Sequence, residues 1–242
     1  MKIKLAIRNT ILSLLLLLGS TQFSSGQVGI LLLIFGDKAS TEDLHLSIDG
    51  AFNLSNISNL SGGHTFLGAN FGLGLHMNLG DHWQFNPELR PLSQKGVRNT
   101  FAIIDAPADI SDPVNNWRLN YFEFPIMMRY RITPLISVAA GPQLSLLTSA
   151  KQISKGEYTN GLNAMIRMDA ESHFRKVNFS FPLEMAYRIQ LSRKESASKI
   201  RLDIFARYCH DFYPVFKDGR GFDDSRLSTW QLGISFPYIL YH

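Results

Sequence analysis

The side chains in this sequence most able to do chemistry are seven histidines, one cysteine and a set of charges placed at every second position. His45, His64, His76, His82, His173, His210 and His242 lack the short spacings that bring imidazoles onto one metal ion. His210-Asp211 has the composition of a base and its orienting acid, as an ester hydrolase near a lipid surface needs. Neighbours on a strand point to opposite faces, so the two side chains are not expected to meet. Cys209 stands alone, which excludes an internal disulfide and a thiolate metal cluster. The chain has no Gly-x-Ser-x-Gly elbow, phosphate-binding glycine loop or His-Glu-x-x-His. No catalytic, cofactor-binding or metal site is predicted, and the expectation is a protein that is not an enzyme.

The charges are more regular. Asp49, Glu88, Arg90, Glu123, Arg129, Glu184, Arg188, Asp203 and Arg207, with Arg131 and Arg201, all fall on the polar side of alternating stretches. In one, Leu67, Ala69, Phe71, Leu73, Leu75, Met77 and Leu79 share a face against Gly68, Asn70, Gly72, Gly74, His76 and Asn78. In another, Val177, Phe179, Phe181, Leu183, Met185, Tyr187 and Ile189 oppose Asn178, Ser180, Pro182, Glu184, Ala186, Arg188 and Gln190. A period of two is a strand.

Eight such strands are expected, at 44–55, 65–79, 83–94, 117–131, 135–148, 174–191, 199–212 and 228–238. Their connectors run long, short, long, short, long, short, long, the rhythm of an outer-membrane barrel with short periplasmic turns and long external loops. Gly80-Asp81 and Thr133-Pro134 suit the turns. The external loops are expected chiefly at Lys95 to Asn116 and Ser149 to His173. The fold class is therefore an all-β, antiparallel, up-and-down transmembrane β-barrel of eight strands. Leu162, Ala164, Ile166 and Met168 also alternate, which leaves ten strands, or an extension of neighbouring strands above the membrane, as alternatives.

An eight-stranded barrel is only just wide enough for its side chains to fill, so the polar set is expected to pair across the lumen. A narrow channel or small-ligand pocket is the alternative and needs a wider barrel. Trp83, Trp117, Tyr121, Tyr208, Trp230, Phe236 and Tyr238 gather near strand ends, where an interfacial aromatic girdle is expected.

Lys2, Lys4 and Arg8, the apolar run Ile11 to Leu18 and the small residues Ser24-Ser25-Gly26 read as a signal peptide over 1–26, followed by an N-terminal segment at 27–43 and one barrel domain at 44–242. The formal net charge of +4 falls to +1 once those three basic residues are removed, leaving 21 basic against 20 acidic residues. With no arginine-rich run, a nucleic-acid partner is not expected.

In order along the chain, Trp83, Pro87-Glu88-Leu89, Gln94-Lys95-Gly96, Tyr121-Phe122-Glu123-Phe124-Pro125, Arg129-Tyr130, Ala140-Gly141-Pro142 and Gln231-Leu232-Gly233-Ile234-Ser235-Phe236 resemble the PorT-like outer-membrane β-barrel proteins of Bacteroidota. Arg90-Pro91 and the tail Pro237 to His242 depart from that pattern. The resemblance implies an outer-membrane location in a Gram-negative bacterium and a barrel fold, and its named member is linked to protein secretion. Expected partners are outer-membrane lipid and lipopolysaccharide, the barrel-assembly machinery during biogenesis, and a surface or secretion-system protein. A structural or surface-interaction role leads, with a small-solute pore or ligand carrier and a secretion-associated barrel as alternatives.

Overall fold

The computed structural model describes residues 43–60, 62–107, 109–190, 201–217 and 224–238. The expected signal peptide, most of the N-terminal segment, the connector at 192–198 and the tail beyond Tyr238 lie outside the described residues.

Eleven strand segments form one antiparallel sheet: β1 (Leu44–Ile57), β2 (His64–Asn78), β3 (Trp83–Thr100), β4 (Ile110–Arg131), β5 (Ile136–Ala140), β6 (Gln143–Tyr158), β7 (Asn163–Asp169), β8 (Val177–Ser180), β9 (Leu183–Gln190), β10 (Arg201–His210) and β11 (Leu227–Tyr238). β1 to β4 pair in sequence order, β4 pairs with both β5 and β6, β9 with β5 and β10, and β8 with β6, and β1 pairs with β11 from Leu46↔Tyr238 to Ile57↔Leu227, which closes the barrel. The wall has eight staves. β5 and β6 are one stave broken at Gly141-Pro142, and β8 and β9 are one stave broken at Phe181-Pro182. The two breaks face each other, between Ala140↔Leu183 and Gln143↔Ser180, because proline has no N–H to give to a ladder.

The eight staves lie where the alternation predicts them. β7 is not a ninth stave: it pairs with β6 from Lys151↔Asp169 to Glu157↔Asn163 and continues that hairpin outward. The connectors expected to be irregular are largely strand. β3 runs on to Thr100, β4 begins at Ile110, and β6 with β7 fills most of 149–173. The outer rim is thus uneven, with a sheet of β3, β4, β6 and β7 rising above one side.

β4 shows where the bilayer ends. Over Phe122–Tyr130 its outward residues are Phe122, Phe124, Ile126, Met128 and Tyr130, while Glu123 and Arg129 point inward and are buried. Nine residues at ~3.4 Å each, tilted ~40°, climb about 23 Å, close to the ~25 Å apolar band of an outer-membrane barrel. Above Phe122 the polarity inverts. Asn120, Arg118 and Asn116 face outward, and Tyr121, Leu119 and Trp117 face inward at 1%, 0% and 0% exposure. Inside the membrane the wall wraps polar groups in apolar ones; above it the strands carry a water-soluble core.

Register irregularities keep each side chain on its face. In β3 the inward parity changes from Arg90 to Ser93 across an irregularity against β4. The interior of β2 is cleared by small residues: a Cβ on Gly72 would stand 2.7 Å from Arg90 Cγ, so this glycine makes room for the arginine across the ladder. At Gly96, φ is +157° and a Cβ would collide with the Trp117 carbonyl oxygen, so a side chain is excluded where β3 pairs with β4 here.

Candidate functional site: the lumen

The lumen holds two layers. The lower one is ionic. Arg207, on β10, donates from both terminal nitrogens to the Glu88 carboxylate at 2.6 and 2.9 Å and from Nε to Glu184 at 2.8 Å. Glu88 lies on β3, four staves away around the ring, so this guanidinium crosses the barrel. Arg90 Nε donates to Glu88 at 2.8 Å and its terminal nitrogen lies 3.7 Å from Asp49, while Arg129 donates to Glu184 at 2.6 Å. The result is a continuous chain of alternating sign, Asp49–Arg90–Glu88–Arg207–Glu184–Arg129, linking five strands. Phe205 sits among these charges, with the guanidinium carbons of Arg90 and Arg207 each 5.6 Å from its ring centre.

Two further pairs flank the chain. Arg188 donates to both Asp203 oxygens at 2.8 and 2.9 Å, and Lys95 Nζ lies 2.5 Å from Glu123. The sequence places Lys95 in a loop; it is 1% exposed inside the barrel. Past the irregularity in β3, Ser93 and Lys95 share the inward parity, which the alternation counted on from Arg90 does not reach. With Lys95 included, these ion pairs join five acids to five bases, which is how an interior of low dielectric carries so many ions.

Around the ions the remaining polar side chains bond to one another. Asn53 Nδ2 donates to Ser93 Oγ at 3.1 Å and to the Gln94 carbonyl at 2.9 Å, and Arg90 donates to Asn70 at 3.0 Å. Nearer the periplasmic end, His76 shares hydrogen bonds with Ser47 at 2.8 Å and Asn86 at 2.6 Å, and its ring stacks on His45 with centroids 4.8 Å apart. These histidines belong to the barrel filling; they do not form a metal site among the described residues.

The upper layer is apolar. Trp117 meets Phe101, Phe174 and Phe216 edge-on at 4.8, 5.9 and 5.3 Å, and Phe174 stacks on Phe216 at 5.2 Å. Ile57, Val97, Leu119, Tyr121, Val215 and Leu227 complete this core. Phe174 and Phe216 come from two connecting segments that fold over the mouth and bond to each other, Arg175 N to the Val215 carbonyl at 2.9 Å and Lys217 N to the His173 carbonyl at 3.1 Å.

Two expected girdle residues are therefore corrected. Trp117 and Tyr121 are buried in the cap, because they share the parity of Glu123 and Arg129 on β4, and that parity faces the lumen. Trp83, Trp230 and Phe236 face outward at 50%, 52% and 46% exposure, and Tyr208 packs against Trp230 at 5.0 Å. The Tyr238 side chain lies outside the described residues.

His210 and Asp211 separate as strand geometry requires. His210 Nδ1 shares a 2.8 Å hydrogen bond with Ser228 Oγ, whereas Asp211 points inward and accepts from Asn178 at 2.9 Å. The two do not work as base and orienting acid.

A closed up-and-down barrel with an apolar belt, a polarity inversion above it and an ion-paired interior is the architecture of a small integral outer-membrane protein. The chain belongs to the outer membrane protein beta-barrel domain family, whose model matches residues 35–217. This membership locates it in the outer membrane of a Gram-negative bacterium. Among solved structures, Ail, the attachment invasion locus protein of Yersinia pestis, is similar at 13% identity over 81% of this chain and 99% of that one, with a TM-score of 0.40. OprG from Pseudomonas aeruginosa is similar at 8% identity over 83% and 99%, with a TM-score of 0.39. Neisserial surface protein A is similar at 11% identity over 81% and 97%, with a TM-score of 0.38. No curated protein sequence matches the chain.

Proposed function

We propose that this protein is a non-enzymatic, non-conducting outer-membrane barrel that works at the cell surface through the sheet of β3, β4, β6 and β7. The observation that carries this reading is the doubly filled lumen: an ionic layer crossed by Arg207 lies beneath an aromatic cap built on Trp117, so neither layer leaves a route for solute. What the fold offers to another molecule is then outside the lumen. The rising sheet ends in β7, whose only strand partner among the described residues is β6, and an open strand edge can accept an extended segment of a partner protein.

The PorT-like motifs support a second reading, a barrel that serves secretion machinery from its periplasmic side, where Asp81 and the Ile132 to Leu135 turn are exposed. One experiment separates the two. Photo-crosslinking side chains are placed at Arg167 on β7 and at Asp81 in the periplasmic turn, and cells are irradiated intact. Crosslinks to a surface protein from Arg167 support the surface role. Crosslinks confined to Asp81 replace it with the secretion role.

A further inference from the structure

The outer boundary of the apolar belt is not the same all the way round. On the β10, β11 and β1 side, the first outward residues above the belt are His210, Ser228 and Asn56, with Tyr208 and Trp230 just beneath them. On the opposite side the outward face above Phe122 carries Asn120 and then Arg118 on β4, Arg118 directly paired across the ladder with Lys151 on β6, with Arg98 on the neighbouring β3. Lys176 is exposed immediately before Val177, where the lipid-facing run of β8 begins. Lys155 and Arg167 stand further up the same outward face, and Asp169, opposite Lys151, is the acid within it.

Two like charges directly opposite on adjacent strands repel, and each such pair costs stability unless an anion lies between them. Lys151 is exposed and Arg118 half-buried, and the Arg118 Nε is buried without a hydrogen-bond partner. Below them on the same outward face, past the Asn120–Ser149 pair, come Phe122 and Phe124 of β4 and Leu144 and Leu146 of β6, which lie against acyl chains. A lipid whose chains cover those residues carries its headgroup to the height of Arg118 and Lys151.

We propose that Arg98, Arg118, Lys151 and Lys176 form a docking surface for the phosphate groups of a phosphorylated glycolipid in the outer leaflet. The inference rests on the reading of the apolar belt as membrane-spanning. The headgroup neutralises the Arg118–Lys151 pair, and the bound lipid anchors the rising sheet on one side only, leaving the His210–Ser228–Asn56 side to neutral headgroups. The lipid bilayer is the occupant the position favours, since the basic groups sit at the belt's edge and not at the tip of the sheet, where Asp112 and Glu157 add acid.

The test uses the full-length protein, folded in neutral detergent micelles and titrated with a bisphosphorylated lipid A. Thermal unfolding is read by heat-modifiable gel migration. Wild-type protein is expected to shift to higher unfolding temperature with the phosphorylated lipid and not with its dephosphorylated form. The variant Arg98→Gln/Arg118→Gln/Lys151→Gln is expected to bind about a hundredfold more weakly, at roughly a fivefold change per cation near a charged surface. Its unshifted heat-modifiable band without lipid shows that the barrel still folds. Equal stabilisation by the dephosphorylated lipid overturns the proposal, as does an unchanged midpoint in the variant. If soluble pyrophosphate or a sulfated polysaccharide stabilises the wild type as well as the lipid does, the surface is a general polyanion site and the lipid assignment fails. Quenching of Trp83 and Trp230 by brominated lipid, measured on the same samples, reports the membrane reading separately.

Discussion

Arg207 is the residue on which the lower layer turns. It is 1% exposed and bonds two carboxylates that approach it from different sides of the barrel. Removing it leaves Glu88 and Glu184 facing each other with Arg90 and Arg129 as their remaining partners. Breaking a buried pair by deleting one member costs about 3–5 kcal/mol, because a buried charge loses its counter-ion. Arg207→Met is therefore expected to lose about that much in urea unfolding from lipid vesicles. Glu88→Gln added to it is expected to recover part of the loss, since one stranded charge is removed. A loss below about 1 kcal/mol for the single variant would mean that water reaches the layer and screens it.

Along a single element, β4 writes the membrane boundary in its own residues. Its outward face changes from Phe124 to Asn120, and its inward face from Glu123 to Trp117. Phe124→Arg is expected to cost about 2–4 kcal/mol and Asn120→Arg about 0–1 kcal/mol, the depth dependence for arginine on the lipid face. Vesicle unfolding of the two variants checks it, and equal costs would put the boundary elsewhere. Single-tryptophan variants give an independent reading: brominated lipid should quench Trp83 and Trp230 but not Trp117, whose ring is enclosed by Phe101, Phe174 and Phe216. The strand pattern was legible in sequence because alternation is a direct imprint of two unlike solvents on two faces. The inward placement of Trp117 and Tyr121 was legible too, since they continue the parity of Glu123; the preference of aromatic rings for interfaces pointed the other way. The inward turn of Lys95 was not, because it depends on an irregularity between Arg90 and Ser93 that no spacing announces. Nor was the cap, since Phe174 and Phe216 meet through connecting segments with no periodicity.

At the scale of the whole molecule, the two layers act in series, and that determines how the barrel can be opened. The cap excludes water by packing aromatic rings, so Phe174→Ala/Phe216→Ala should empty it while leaving the ions beneath intact. On the proposed reading the ionic layer blocks passage differently, by filling the section of an eight-stave barrel with side chains held in place by hydrogen bonds. Wild-type protein in a planar bilayer is expected to be silent, and the cap variant silent as well. Adding Glu88→Ala/Arg207→Ala removes the two side chains that bridge β3 and β10, and only this fourfold variant should show discrete conductance steps. Conductance in the wild type would refute the filled-barrel reading outright. Conductance in the cap variant alone would show that the aromatic layer is the whole seal, and that the chain of charges below it is wet enough to pass ions.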